Sequence, residues 1–409
     1  MSEMRRDSPY PMVPIDEAAR IIMAHAAPLG VEEIDALYAE GRVLAEAVQA
    51  PENIPDLPKS AMDGYAVRAA DGAAERQVVA ELTAGNRPGL LIGPGEAARI
   101  MTGAPMPAGA DSMIPVELTE EQGGVLRVAK AVQPGENVHT VGQDIAAGAT
   151  VLERGVVLSA ADVGLLATLG LTRVPVYRRP RVAVLATGDE IVEPGAERPA
   201  GAVRDSNRYA LMAAAREAGC ETISLGIARD DQATQRAAIL RGLELADVLI
   251  TSGGVSMGTR DLIKPILAEL GTIHFGRVAF KPGKPTTFAT VNGRLVFGVP
   301  GFPVSSLVSF EVFVRPALRA LQGDARPERP RVRVSIAAPI RPSPDRPEYQ
   351  RAVVRWAEGK LVATSTGGQG SSRLLSLHGA NALLLVPPGT EVYPAGAELE
   401  ALLTAPLAP

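Results

Sequence analysis

Carboxylates, ammonium groups and hydroxyls gather in four short loops of this 409-residue chain, each loop at the end of an apolar run. Val248-Leu249-Ile250 stops at Thr251-Ser252-Gly253-Gly254-Val255-Ser256, with Asp261 shortly after. Arg181 to Ala186 stops at Thr187-Gly188-Asp189-Glu190. Ile273 to Phe280, which contains Arg277, reads as a strand and leads into Lys281-Pro282-Gly283-Lys284-Pro285-Thr286. Val299-Pro300-Gly301-Phe302-Pro303-Val304-Ser305-Ser306 opens a run of helical spacing, Leu307 to Leu321. Short β-branched runs of this kind read as strands buried on both faces. Adjacent glycines admit positive φ and let a ligand approach bare N–H groups. A strand, a Gly/Ser loop and a following helix N-terminus together favour an anion. On the glycines alone, ordinary tight turns are an equal reading. Acids, two lysines and hydroxyls at four sheet ends suit a polyanionic ligand plus a divalent cation better.

The acids are the next clue. Cleavage of a phosphoanhydride calls for a metal to neutralise developing charge, and Mg²⁺ prefers carboxylate, water and phosphate oxygens. Asp189, Glu190, Asp230, Asp231 and Asp261 all fall at or just after strand ends. The competing role is N-capping, because Asp at such a junction commonly caps the next helix. Asp231 is placed to cap a helix starting at Gln232. The sequence lacks the Gly-x-x-x-x-Gly-Lys-Ser/Thr phosphate loop, which argues against a P-loop nucleotidase. His25, His139, His274 and His378 show no ligand spacing, and with Cys220 as the single cysteine a zinc site is disfavoured.

Three further motifs lie upstream: Pro58-Lys59-Ser60-Ala61-Met62-Asp63-Gly64-Tyr65-Ala66, Ile100-Met101-Thr102-Gly103-Ala104-Pro105-Met106-Pro107 and Gly142-Gln143-Asp144-Ile145. Together with the four loops, they resemble the motifs of the molybdopterin molybdenumtransferase family, which includes the C-terminal half of gephyrin. The resemblance covers nearly the whole chain, in order. Each motif is weak alone, and the seven together are specific. The resemblance implies an enzyme that inserts molybdate into adenylylated molybdopterin, releasing AMP and forming molybdenum cofactor with the help of Mg²⁺. Tungstate is the alternative oxyanion.

Carried over motif by motif, the resemblance makes Asp63, Glu190, Asp261 and Lys281 catalytic, and Glu190, Asp230 and Asp261 metal ligands. It places substrate against Thr102, Asp144, Thr187, Gly188, Ser252, Gly253, Gly254, Ser256, Arg277, Lys284, Pro300, Gly301, Ser305 and Ser371. By residue chemistry alone, Asp63 in Met-Asp-Gly-Tyr is a turn residue. Two positions depart from the family: Phe302 stands where many relatives carry Asn, and Arg277 where some carry Lys. The resemblance further implies a homodimer whose pocket combines the central domain of one subunit with the N-terminal domains of the other. Molybdopterin adenylyltransferase and molybdoenzyme apoproteins are the implied protein partners. Two other readings remain: an adenylyltransferase-type enzyme of the same fold, and a non-catalytic gephyrin-like scaffold.

These residues need a framework, and the punctuation of the chain outlines one. The expected class is multidomain: a central three-layer α/β domain with a mostly parallel sheet, an inserted all-β domain and a C-terminal β-barrel-like domain. Residues 1–50 and 139–178 read as an elongated N-terminal α+β domain, interrupted by a β domain at 51–138. The catalytic α/β domain takes 179–323, and a C-terminal β domain takes 330–409. Helix periodicity starts at Pro14-Ile15, strands are expected at Glu32–Leu37 and Arg42–Val48, and Asn292-Gly293 signals a hairpin. Asp205-Ser206-Asn207 reads as a helix start, and Gly367 to Arg373 as a Gly/Ser hairpin loop. Lys plus Arg number 41 against 46 acids, a net charge of −5, which argues against a nucleic-acid surface. No apolar run approaches membrane-spanning length, and no secretory signal is visible, so a cytoplasmic location is expected.

Overall fold

The computed structural model describes residues 10–85, 89–255 and 262–408. The chain forms two compact units, one of residues 46–154 and 160–172, the other of the remaining chain.

The larger unit is built on a six-stranded sheet. Its order is Glu221–Ala228, Arg181–Thr187, Val248–Ser252, Arg294–Val299, Thr287–Val291 and Thr272–Phe275. The first four strands run parallel, Thr287–Val291 runs against them, and Thr272–Phe275 pairs antiparallel with Thr287–Val291. Alternation along the central strands supplies both faces. Val182, Val184, Val248 and Ile250 pack with Leu211, Ala215, Val304 and Val308, from the helices at Asn207–Glu217 and Pro303–Ser309. Ala183, Leu185 and Leu249 pack with Ile239, Ile263, Ile266 and Leu267 on the opposite side, from Gln232–Leu245 and Ile263–Leu270. The central residues are fully buried, which is why these strands read as continuous apolar runs. All the parallel strands therefore end at one edge, where the Gly/Ser loops sit.

The hairpin at Asn292-Gly293 forms as expected, with φ of 48° and 76°. Three expectations need correction. The strand read from Ile273 to Phe280 ends at Phe275. Gly276 lies against the ring of Tyr10, where an added Cβ would come within 2.8 Å, and beyond it Val278 bridges only to Val13. The run from Leu307 to Leu321 starts earlier, at Pro303, and opens into a π turn at Phe310–Val314 before resuming as α-helix. Pro316 has no N–H to donate to the carbonyl four residues back, and the wider turn accommodates it. Of the strand read over Arg42 to Val48, only Val48 pairs in a strand, Val48–Gln49, while Val43 and Leu44 make single bridges.

The same unit contains a closed five-stranded barrel in the order Arg331–Ile336, Lys360–Ser365, Glu348–Ala357, Ala382–Val386 and Glu398–Leu403. Val334, Val354, Leu384 and Leu399 fill its interior.

The smaller unit carries a six-stranded sheet in the order Ser112–Pro115, Gly64–Val67, Glu96–Ile100, Arg76–Leu82, Val125–Val128 and Thr119–Gln122. Gly64 is required in it, since a Cβ there would lie 2.0 Å from the carbonyl oxygen of Ile114.

Candidate active site

At the C-terminal edge of the parallel strands, loops far apart in sequence touch. Thr187 Oγ1 donates to the carbonyl of Ser252 at 3.3 Å. Gly253 has φ of 93°, and a Cβ on it would stand 2.7 Å from the Thr187 carbonyl oxygen. Only glycine permits that approach. Gly254, at φ 63°, is similarly pressed against Ile263 and Thr187 Oγ1. Gly301 comes next: a Cβ there would lie 3.8 Å from Gly253 Cα. Ser306 donates its hydroxyl to the Pro300 carbonyl, and Val304 N–H donates to the Ser371 carbonyl at 3.1 Å. Ser252 and Ser305 are each only 4% exposed. Thr187, Gly188, Ser252, Gly253, Gly254, Pro300, Gly301, Ser305 and Ser371 thus share one neighbourhood. The side chain that joins two of these loops, Asn207, was read from the sequence only as part of a helix start. Its Nδ2 donates to Ser252 Oγ at 2.8 Å and to the Gly301 carbonyl at 2.8 Å.

The acids divide. Glu190 is exposed, and its carboxylate folds back over Gly188, so that a Cβ on Gly188 would meet Oε2 at 2.6 Å. Asp230 donates its N–H to Asp189 Oδ1 at 3.1 Å and accepts from Gln235 Nε2 at 3.2 Å. Asp231 is a helix cap: it accepts from the Thr234 hydroxyl at 2.6 Å and the Thr234 N–H at 2.7 Å. Those bonds hold its carboxyl below the ordinary carboxylate range. Asp261 and Ser256 lie outside the described residues. Among the described residues, no three or more His, Cys, Asp or Glu side chains gather as a metal would need.

The basic loop is anchored to the barrel. Lys281 Nζ lies 3.2 Å from Glu348 Oε1, the lysine side chain 44% exposed and the glutamate 4%. Lys281 N–H donates to the Pro347 carbonyl at 3.0 Å, and Tyr349 N–H donates to the Lys281 carbonyl at 2.8 Å. Gly283 has φ of 137°, and a Cβ there would meet Phe280 Cζ at 2.1 Å. Lys284 is half-buried beyond it, and its charge adds to the Ser343 hydrogen bond and Arg346 in lowering the Asp345 carboxyl. Arg277 is half-buried, and its carbonyl accepts from Val13 N–H at 3.1 Å. Sequence reasoning missed Glu348, which stands in the barrel and has no local pattern linking it to a lysine in another element.

In the smaller unit, Asp63 accepts from the Thr102 hydroxyl at 2.6 Å and the Thr102 N–H at 2.7 Å. These bonds, in that order, hold its carboxyl below the ordinary range. Asp144 sits on a separate exposed turn, its N–H donating to the Ile54 carbonyl at 3.0 Å.

A mostly parallel α/β sheet with a Gly/Ser/Thr edge, carried with a five-stranded barrel and a six-stranded mixed sheet, defines a multidomain protein of α/β and β parts. The sequence matches three families: the MoeA N-terminal region (domain I and II) at residues 13–170, the probable molybdopterin binding domain at 183–320, and the MoeA C-terminal region (domain IV) at 333–404. It is 39% identical over 377 residues to molybdopterin molybdenumtransferase 2 of Mycobacterium tuberculosis, covering 88% of this chain and 92% of that one. It is 36% identical to the molybdopterin molybdenumtransferase of Bacillus subtilis, covering 96% and 94%. It is also 35% identical to gephyrin of Dictyostelium discoideum, where it covers 98% of this chain but spans only 64% of that longer relative. The crystal structure of a molybdopterin biosynthesis MoeA protein from Pyrococcus horikosii superposes with a TM-score of 0.83 at 32% identity, covering 97% of this chain and all of that one. The chain belongs to the molybdopterin molybdenumtransferase family.

Proposed function

We propose that this protein inserts molybdate into adenylylated molybdopterin, releasing AMP and forming molybdenum cofactor. The observation that carries this reading is the convergence of Thr187, Ser252, Gly253 and Gly301 at one sheet edge, in a chain whose relatives of matching length are named molybdenumtransferases. Hydroxyls, glycine backbone and lysines at such an edge suit a ligand carrying phosphates. Match along both the N-terminal and C-terminal family regions favours this reading over an adenylyltransferase, which needs only the central α/β layer.

Mg²⁺ is part of the proposal. Glu190 and Asp230 offer the hard oxygen donors that Mg²⁺ takes. The described residues alone do not complete a set of ligands, and Asp261, the third acid of the proposed set, lies outside them. A homodimer, a cytoplasmic location, and exchange of substrate and product with an adenylyltransferase and molybdoenzyme apoproteins belong to the same proposal. Among the described residues no helix is long and apolar enough to cross a membrane. Light scattering tests the dimer.

The deciding assay mixes purified protein with adenylylated molybdopterin, Mg²⁺ and molybdate, and follows AMP. Release of AMP that depends on molybdate supports the reading. Intact substrate recovered after incubation with folded protein overturns it.

A further inference from the structure

We propose that Asn207 is a positioning residue of the anion-binding edge, acting through Ser252 and the Gly301 loop. This inference rests on the reading of the edge as a phosphate site and adds a residue to it. Asn207 is the first residue of the helix Asn207–Glu217, and it is half-buried. Its start is fixed by its neighbours. Asp205 Oδ1 accepts from Arg208 N–H at 3.0 Å, and the buried Arg208 guanidinium pairs with Asp205 and Glu193 at 2.6 Å each. The amide of Asn207 therefore projects from a pinned helix end.

Its orientation is determined by chemistry. The Gly301 carbonyl can only accept, so the amide nitrogen must face it, because the amide oxygen in that place would be repelled. The same nitrogen donates to Ser252 Oγ. A hydroxyl that accepts through oxygen keeps its own hydrogen for another partner. Asn207 thus leaves the Ser252 O–H to donate to an anion at the strand end. The second bond holds the Gly301 loop beside Gly253. The two loops that must straddle a phosphate are set at one spacing by one side chain. Such preorganisation lowers the cost of ordering loops on binding.

The test measures AMP binding to the full-length protein by calorimetry, with thermal unfolding in parallel. Asn207→Ala is expected to weaken AMP affinity about tenfold, the worth of one oriented hydrogen bond. Asn207→Asp keeps the size of the side chain but cannot donate to the Gly301 carbonyl, and is expected to lose at least as much. A double-mutant cycle with Ser252→Ala separates positioning from general support. In the Ser252→Ala background, Asn207→Ala is expected to cost clearly less than tenfold. Parent-like AMP affinity in both Asn207 variants, or full additivity with Ser252→Ala, would overturn the role of Asn207 while leaving the phosphate reading intact. Failure of the parent protein itself to bind AMP would remove that reading, and this inference with it.

Discussion

Asp63 and Thr102 meet across 39 residues of sequence, with one carboxylate oxygen accepting both the hydroxyl and the backbone N–H of the threonine. The two residues come from separate motifs that carried little chemistry alone. The pairing keeps Asp63 ionised and oriented on an exposed turn. Because the folded carboxyl titrates below its ordinary value, the pairing favours the fold above that value and is lost as pH falls through the lowered one. Thr102→Val keeps the N–H and removes the hydroxyl, the larger of the two causes. The Asp63 carboxyl should then titrate closer to the ordinary value, read by carbon-detected NMR. An unmoved midpoint would show that the hydroxyl is not the cause.

Lys281 pairs with Glu348, and the proposed function also gives it a ligand to hold. Removing it leaves a carboxylate that is 4% exposed without its counter-ion. Lys281→Ala should therefore lose stability of about 1–2 kcal/mol, between the worth of an exposed pair and the cost of breaking a buried one, because the lysine itself is partly solvated. It should also weaken AMP binding. Adding Glu348→Gln should recover the stability and not the binding. Lys284→Ala should weaken binding alone. Urea unfolding and calorimetry on the four proteins decide, and a stability loss that Glu348→Gln leaves unrepaired would show that the ion pair is not its source.

The sequence showed the strand-end loops, the Asn292-Gly293 hairpin and the Asp231 cap because each is a local signal, written within a few residues. It did not show what joins them. Asn207 reaches Ser252 across 45 residues and Gly301 across 94, and no periodicity records such bonds. Glu348 was hidden for the same reason. The strand expected past Phe275 failed on tertiary grounds, since the backbone there bonds to Val13 through Arg277 and Ala279, and to Lys284 through Val278, instead of continuing the sheet. Apolar character alone carried that expectation too far.

At the opposite ends of the parallel strands, Asp247 is a structural counterpart. Burial would raise its carboxyl, yet hydrogen bonds from Arg178 and the Arg181 N–H, with Arg294 beside them, outweigh burial and lower it. Its contribution is present above the ordinary carboxylate value and lost as pH falls through the lowered one. Asp247→Asn should destabilise by about 3 kcal/mol, since two arginines lose their counter-charge. The variant should also show a shallower loss of stability on acidification below about pH 4. Thermal midpoints measured across that range test it, and parallel curves for parent and variant would exclude Asp247 as the titrating group.

Phe302 gives the sharpest separation of stability from binding. It is 60% exposed and stands just before the helix at Pro303, with backbone angles of −72° and 130° and no side-chain cap. Nothing in the core depends on the ring. Val304 N–H is already taken by the Ser371 carbonyl, so the next N–H, that of Ser305, is the one a capping side chain would serve. Asn is a good cap where Phe is not, so Phe302→Asn should raise stability by about 0.5–1 kcal/mol. The ring, however, offers a flat apolar face beside Gly301 at the proposed nucleotide edge. A base stacked there would lose about 1–3 kcal/mol on its removal. The expected result is a protein that melts higher and binds AMP more weakly, with binding restored by Phe302→Tyr. Unchanged AMP affinity in Phe302→Asn would leave Phe302 as a residue that spaces the loop from the helix and takes no part in recognition.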